Sequence, residues 1–301
     1  MKYSIGIPTF KGRYFEECIE SIINQSYSDF ELIIVNDCSP DDIEGSLAKF
    51  NDPRIRYYKN SVNTGAENVI DNWNKCLSLA NGEYFVLMGD DDKFEPNYLE
   101  EFNKLIDNYP DLDVYHCGIK IINEESELIE YSNNCPEFET TNDYILNCIQ
   151  GRSEQFISDF VYRSSALKNN NGFYKLPLAW CSDYTSAFIA CGDKGIAYNS
   201  KPLFMYRKNQ YNITSTSSLE LKRLAHIGME KWVEKYLDSS KFNSNIVKLE
   251  FAKYVILSRE GFIKQVIGRD KFKGILNCII KRNYFDISLN NILSVCFKKF
   301  T

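Results

Sequence analysis

The stretch Glu83–Asp92, EYFVLMGDDD, decides the fold. Tyr84 to Met88 are apolar without polar alternation, the pattern of a strand in a parallel sheet covered on both faces. Just before it, Asn81-Gly82 is a helix C-cap signal closing a helical pattern from about Ala66 to Ala80. The strand then runs straight into three carboxylates.

Working outward, the same rhythm repeats. YSIGIP makes Tyr3 to Ile7 a buried strand that Pro8 ends. From Tyr14 to Gln25, the residues Phe15, Cys18, Ile19, Ile22 and Ile23 fall at helical spacing. FELIIVND gives a second strand that stops at Asn36-Asp37, and SPDD starts a short helix to about Phe50. RIRYYKN supplies a third strand through Ile55, Tyr57 and Tyr58, and Pro96 to Tyr109 a further helix. Strands alternating with helices predict an α/β domain, a mostly parallel sheet flanked by helices, whose ligands bind at the carboxyl ends of the strands. Those ends carry Pro8-Thr9-Phe10, Asn36-Asp37, the turn Lys59 to Gly65, and Asp90-Asp91-Asp92. No GxxxxGK[ST] occurs and no GxGxxG follows the first strand, so phosphate-cradling loops are excluded there.

The chain has 301 residues, enough for about two domains. Its 44% hydrophobic and 25% charged residues exclude a disordered or low-complexity chain. The 35 basic and 41 acidic side chains are unevenly spread, with 11 basic and 4 acidic in residues 248–301. A uniformly basic nucleic-acid binder is excluded; the acidic body suits a cation and the basic tail an anionic surface. Ten cysteines contain no CxxC spacing, which argues against a zinc motif. The amino terminus lacks a secretory leader pattern, so a cytoplasmic protein with free thiols is expected. The uncharged stretch Ile287 to Phe297 falls far short of the roughly 20 apolar residues a spanning helix needs.

Three consecutive carboxylates after a buried strand raise one another's pKa and resist desolvation. A divalent cation such as Mg²⁺ or Mn²⁺ relieves that cost, and an octahedral ion of this type completes its shell with water and substrate phosphates. A solvated acidic turn ahead of the next helix is the equally weighted alternative for DDD alone.

The order of IPTF, ELIIVNDCSPDD, NTGAENVIDNW, ANGEYFVLMGDDD and then Pro96 resembles the family 2 glycosyltransferases of the GT-A fold, over roughly residues 3 to 207. The resemblance implies that Asp91 and Asp92 hold Mn²⁺ or Mg²⁺, with Asp90 nearest the ribose. It implies nucleoside contacts from Pro8, Thr9, Phe10 and Asp37, with Asn63 and Gly65 close by. Gly89 departs from the family's commonest form, which has Asp there.

The blocks ISDFVYRSSALKNNNGF and LPLAWCSDYTSAFIACGDKGIAYNSKPLFMYR follow the same family pattern. There the resemblance makes Asp183 the catalytic base toward an acceptor hydroxyl and sets Arg163 in the acceptor half. Asp183 alone reads more readily as a helix N-cap, and the upstream blocks turn the reading to the base. Trp180 suits stacking on an acceptor sugar or the core. Arg207 stands where the family often has an Arg near the diphosphate, although no His follows it; a surface ion pair is the other reading. Leu112 to Asn123 reads as a strand, followed to about Cys135 by a hairpin and loop over the acceptor site. His116 and His226 lack partners at ligand spacing and read as structural.

These readings give a catalytic domain over 1–215, with a nucleotide-sugar-binding half at 1–110 and an acceptor half at 111–215. A helical segment follows over 216–301, clearest at Leu219 to Leu237 and Asn245 to Leu257. Its basic and bulky residues suit an anionic membrane or a solvated helical face equally, the first placing the protein at the inner face of the cell membrane. The function implied is inverting transfer from a nucleotide sugar, a UDP-sugar, to a glycan or lipid-linked acceptor in surface polysaccharide synthesis. A phosphatase lacks its aspartyl nucleophile in Pro8-Thr9-Phe10, and Lys11-Gly12-Arg13 is a poor phosphate loop for a nucleotidyltransferase. A degenerate nucleotide-sugar-binding scaffold is the competing non-enzymatic reading.

Overall fold

The computed structural model describes residues 1–210, 212, 218–239, 245–269 and 271–297. Strands β1 (Tyr3–Thr9), β2 (Phe30–Asn36), β3 (Ile55–Lys59) and β4 (Tyr84–Leu87) lie parallel in the order β3-β2-β1-β4. Helices α1 (Phe15–Ile23), α2 (Ile43–Leu47) and α3 (Val69–Leu79) connect them, as the apolar spacing predicts. A 3₁₀ turn, Ala66–Asn68, precedes α3.

After β4 come a two-residue strand β5 (Lys93–Phe94), helix α4 (Tyr98–Asn108), strands β6 (Val114–Ile122), β7 (Leu128–Tyr131) and β8 (Phe138–Glu139), and helix α5 (Thr141–Ile149). Strand β9 (Phe160–Arg163), helices α6 (Ser164–Asn169) and α7 (Ser182–Cys191), and strand β10 (Ile196–Arg207) complete the sheet, which continues from β4 through β9, β6 and β10 to β5. Strand β9 is antiparallel to both neighbours. That reversal carries the chain before β9 to the carboxyl edge, where Ser158 Oγ accepts from the Gly89 N–H at 3.1 Å.

Both faces of the sheet are covered, which is why β2 is buried throughout. Ile33, Val35, Phe85 and Leu87 pack on one side with α3 and α7. Leu32, Ile34, Val86 and Met88 pack on the other with α1 and α4. The period of two assigns alternate residues to opposite layers.

Among the described residues the helices that follow are α8 (Leu219–Leu237), α9 (Asn245–Arg269), α10 (Lys271–Ile280) and α11 (Leu289–Phe297). Ala225, Met229 and Val233 of α8, with Val247 and Phe251 of α9, join the same core as α7. Phe262, Ile263, Cys278, Phe285 and Ile292 form a smaller core of their own. Among the described residues no helix is long and apolar enough to cross a membrane.

Candidate active site

The carboxyl ends of β1, β2 and β4 bring the predicted residues to one edge. Thr9 pairs with Asn36 in register, and the Asp37 N–H donates to the Thr9 carbonyl at 2.8 Å. The Asp37 carboxylate accepts from the Thr64 N–H at 3.0 Å, Thr64 Oγ1 at 2.9 Å and Asn60 Nδ2 at 2.8 Å. It therefore anchors the turn after β3. Asn63 Oδ1 accepts from the Gly65 N–H, and Gly65 has φ of +77°, a conformation that favours glycine. Thr64 and Asn60 line a polar cleft of about 430 Å³ with Lys59, Asn72 and Lys75.

Asp90 ties β4 to β1. One oxygen of its carboxylate accepts from Thr9 Oγ1 at 3.0 Å and from the N–H groups of Phe10 at 2.9 Å and Lys11 at 3.0 Å. Pro8 lies in the β1 register opposite Val35. Asp91 accepts from Asn209 Nδ2 at 2.8 Å. With Asp90, Lys11, Arg13, Tyr14, Asp41 and Asn209, Asp91 lines a cavity of about 330 Å³. Burial, then the charge of Asp90, pushes Asp91 up to about 6. Asp92 is pushed up by burial and next by Asp91. These are crowded hard-oxygen donors, the chemistry that suits Mg²⁺ or Mn²⁺. A Cβ at Gly89 would stand 2.6 Å from Asp92 Oδ2, so the glycine leaves the room that the Asp92 carboxylate occupies.

Arg207 is fully buried beneath this loop instead of facing the cavity. Its Nε donates to the Asp91 carbonyl at 2.8 Å. One terminal nitrogen reaches the Glu124 carbonyl at 3.1 Å and Ser126 Oγ at 2.9 Å, and the other reaches Glu17 at 2.9 Å. The guanidinium carbon lies 4.2 Å from the Tyr14 ring centroid. The expected diphosphate contact is thus replaced by a brace, because β10 ends behind the aspartates and every donor direction is directed inward. The hairpin turn after β6 packs against this brace and not over the acceptor site, since Glu124 also accepts from the Tyr14 hydroxyl.

On the other side of the triple aspartate lies an apolar cavity of about 500 Å³. Asp92 and Asp183 both line it, with Trp73, Trp180, Tyr184 and Tyr206. Asp183 sits in the first turn of α7, and its Oδ1 accepts from the Tyr184 N–H at 2.9 Å. Burial against these walls pushes Asp183 up to about 7, poised for proton exchange near neutrality. Leu178, Ala179 and Cys181 have φ of 62°, 55° and 62°, so the backbone bends sharply to present Trp180 and Asp183. Strain of this type is held only where the surroundings over-determine it.

Trp180 Nε1 donates to His226 Nε2 at 3.1 Å, and His226 Nδ1 lies 3.1 Å from the Tyr254 hydroxyl. Burial, then Arg223, lowers His226 to about 4, so the ring is neutral and accepts from Trp180. Met229 and Tyr254 also line the cavity. The C-terminal helices therefore build one wall, a role the sequence pattern concealed because His226, Met229 and Tyr254 belong to separate helical turns without a motif. Lys11 and Arg13 were legible only as a weak phosphate loop, yet both line the cavity beside Asp90 and Asp91. Arg163 lies elsewhere. It pairs with Tyr84 at the amino end of β4 and binds Glu83 and Asp113, because β9 runs antiparallel and ends at the opposite edge. It is a structural ion-pair residue, not part of the acceptor cavity.

Comparison with known proteins bears on the fold and the family. WcaA of Escherichia coli (strain K12), assigned as a colanic acid biosynthesis glycosyl transferase, is 39% identical over 102 residues, covering 33% of this chain and 36% of WcaA. EpsH of Bacillus subtilis (strain 168), assigned as a glycosyltransferase, is 26% identical over 204 residues, covering 64% of this chain and 57% of EpsH. The matches thus span about a third to a little over half of these curated relatives. Among solved structures, S. aureus TarS 1-349 in complex with UDP-GlcNAc superposes with a TM-score of 0.71 at 19% identity, covering 98% of this chain and 90% of that one. The mannosyltransferase PcManGT of Pyrobaculum calidifontis, in complex with GDP-Man and Mn²⁺, gives 0.60 at 11% identity, covering 99% and 84%. These likenesses show the GT-A fold. The profile of glycosyl transferase family 2 matches residues 4–209, more than half of the sequence, and the chain belongs to that family.

Proposed function

We propose that the protein transfers a sugar, with inversion, from a UDP-sugar to a glycan or lipid-linked acceptor in surface polysaccharide synthesis. The observation that carries this reading is the division made by the triple aspartate. Asp90 and Asp91 line one cavity with Lys11 and Arg13, and Asp92 shares an apolar cavity with Asp183. The donor diphosphate belongs in the first and the acceptor in the second. TarS and PcManGT, solved with nucleotide sugars, support a nucleotide-sugar donor.

Asp91 and Asp92 would hold Mn²⁺ or Mg²⁺, which supplies positive charge against the departing diphosphate. Lys11 and Arg13 add to that field from the same cavity. Pro8, Thr9 and Phe10, with the Asp37-anchored turn at Asn63 and Gly65, flank the nucleoside. In the acceptor cavity Trp180 offers a flat apolar face to a sugar ring. Asp183 accepts the acceptor hydroxyl proton late, as the hydroxyl oxygen bonds to the anomeric carbon and the carbon–diphosphate oxygen bond breaks. The apolar walls exclude water, which would compete as acceptor. A scaffold without activity is disfavoured, because Gly89 makes room for the Asp92 carboxylate instead of removing a ligand.

The C-terminal helices supply an anionic-membrane surface in this reading. Leu276, Ile279 and Ile280 are exposed on α10, beside Lys281 and Arg282. A lipid-linked acceptor would be met at such a surface.

The test is a thermal-shift screen of nucleotide sugars with Mn²⁺. A UDP-sugar that raises the unfolding temperature in a metal-dependent way, and is then consumed in transfer, supports the proposal. No metal-dependent shift from any nucleotide sugar contradicts it.

A further inference from the structure

Away from the proposed active site, the acceptor half holds a second cluster of metal-ligating groups. His116 in the middle of β6, Cys135 in the segment leading to β8, and Glu139 on β8 each bring one ligand atom within 4.8 Å of the others. His116 and Glu139 are 1% and 3% exposed, and His116 Nε2 and Glu139 Oε2 have no hydrogen-bond partner. Two more buried polar atoms nearby are also unpaired, Asp159 Oδ2 and the Tyr162 hydroxyl. Buried polar atoms left unpaired are costly, so such a concentration calls for an occupant.

Two of the candidate ligands are held by hydrogen bonds to neighbouring side chains. Asn147 Nδ2 donates to Glu139 Oε1 at 2.5 Å, leaving Oε2 free. Cys135 Sγ lies 3.3 Å from Ser153 Oγ. His116 Nδ1 lies 3.7 Å from Asp159 Oδ2, beyond hydrogen-bond distance, so the ring is held by packing and not by that carboxylate.

We propose that His116, Cys135 and Glu139 form a buried zinc site, with water completing a tetrahedral shell. One nitrogen, one sulfur and one oxygen donor match a borderline-soft ion and differ from the all-oxygen aspartate site. Zn²⁺ bonds of roughly 2.0–2.3 Å set ligand atoms about 3.3–3.8 Å apart, so binding draws the three groups inward by about 1 Å. The thiolate and carboxylate balance the charge of the ion. The CxxC rule misses the site because its ligands come from β6 and from a distant crossing segment. That segment is held to β10 by the Tyr198 N–H donating to the Glu137 carbonyl at 2.8 Å and leads into α5, whose Cys148 and Ile149 line the apolar cavity. The ion would therefore fasten the cavity wall to the sheet.

The experiment measures zinc in the full chain purified without chelators, in parallel with Asp91→Asn, which removes a ligand from the aspartate site. About one zinc per chain is expected in both, with at least tenfold less in His116→Ala and Cys135→Ser. Because those variants can fail to fold, Co²⁺ is also exchanged into the unsubstituted cluster, where a thiolate-to-cobalt charge-transfer band is expected. Zinc loss in Asp91→Asn alone, or absence of both bound zinc and the cobalt band, overturns the proposal.

Discussion

Asp92 and Asp183 line one cavity although they lie in different halves of the chain. Asp92 arrives from the carboxyl end of β4, and its Oδ1 accepts from the Arg207 N–H at 2.8 Å. Asp183 arrives from the first turn of α7, beyond the strained bend at Leu178 to Cys181. Two carboxylates with different surroundings thus face a shared space, one at the proposed metal and one at the proposed base.

Asp183 sets the pH dependence. Burial raises its carboxyl to about 7. The protonated acid cannot accept the acceptor proton, so transfer at saturating donor should rise with pH through about 7 and level off above it. A rate profile from pH 5 to 9 checks this; a rate already flat at acid pH contradicts it.

Gly89→Ala should disturb the aspartate site. The new Cβ meets Asp92 Oδ2 at 2.6 Å, and overpacking of this kind typically costs about 1–3 kcal/mol. Urea unfolding should show a loss of that order, and calorimetry should show weaker Mn²⁺-dependent donor binding.

Arg207→Met should destabilise the protein without touching donor chemistry directly. It leaves the carbonyls of Asp91 and Glu124 without this donor, and each unsatisfied buried group costs about 1–3 kcal/mol. Arg207→Lys should not rescue it, because an ammonium cannot reproduce the planar fork. Denaturant midpoints of the two variants, both well below the parent, would check the brace.

Leu276→Asp with Ile280→Asp tests the membrane surface. Both residues are exposed, 48% and 71%, one helical turn apart on α10. Deleting the tail is a poorer test, since Phe285 and Ile292 pack in a core with Phe262. Sedimentation with anionic vesicles should fall more than tenfold, given about 1.5–3 kcal/mol for burying each apolar side chain, while the unfolding temperature stays unchanged.

The parallel half of the fold was legible because Leu32 to Val35 and Tyr84 to Met88 are uninterrupted apolar runs that end in polar signals, at Asn36-Asp37 and at Asp90. Asp90 to Asp92 stand out because they follow a strand end, whereas Asp183 is named through the family resemblance. Arg163 and Arg207 show where such reading stops. A basic residue in a motif position carries no sign of which edge its strand ends on or which way its guanidinium turns. The antiparallel insertion of β9 settled the first and the inward course of β10 the second. His226 and Tyr254 were invisible as cavity residues because their contribution depends on how α8 and α9 dock.

The central claim is that Asp183 acts on the acceptor and not on the donor. Its most direct test is to titrate Asp183→Asn with a UDP-sugar and Mn²⁺ and to measure turnover in the same preparation. Donor affinity should stay close to the parent's while turnover falls roughly 10²–10⁴-fold, the usual range for loss of a general base. Turnover equal to the parent's, or donor binding lost along with it, would contradict the account.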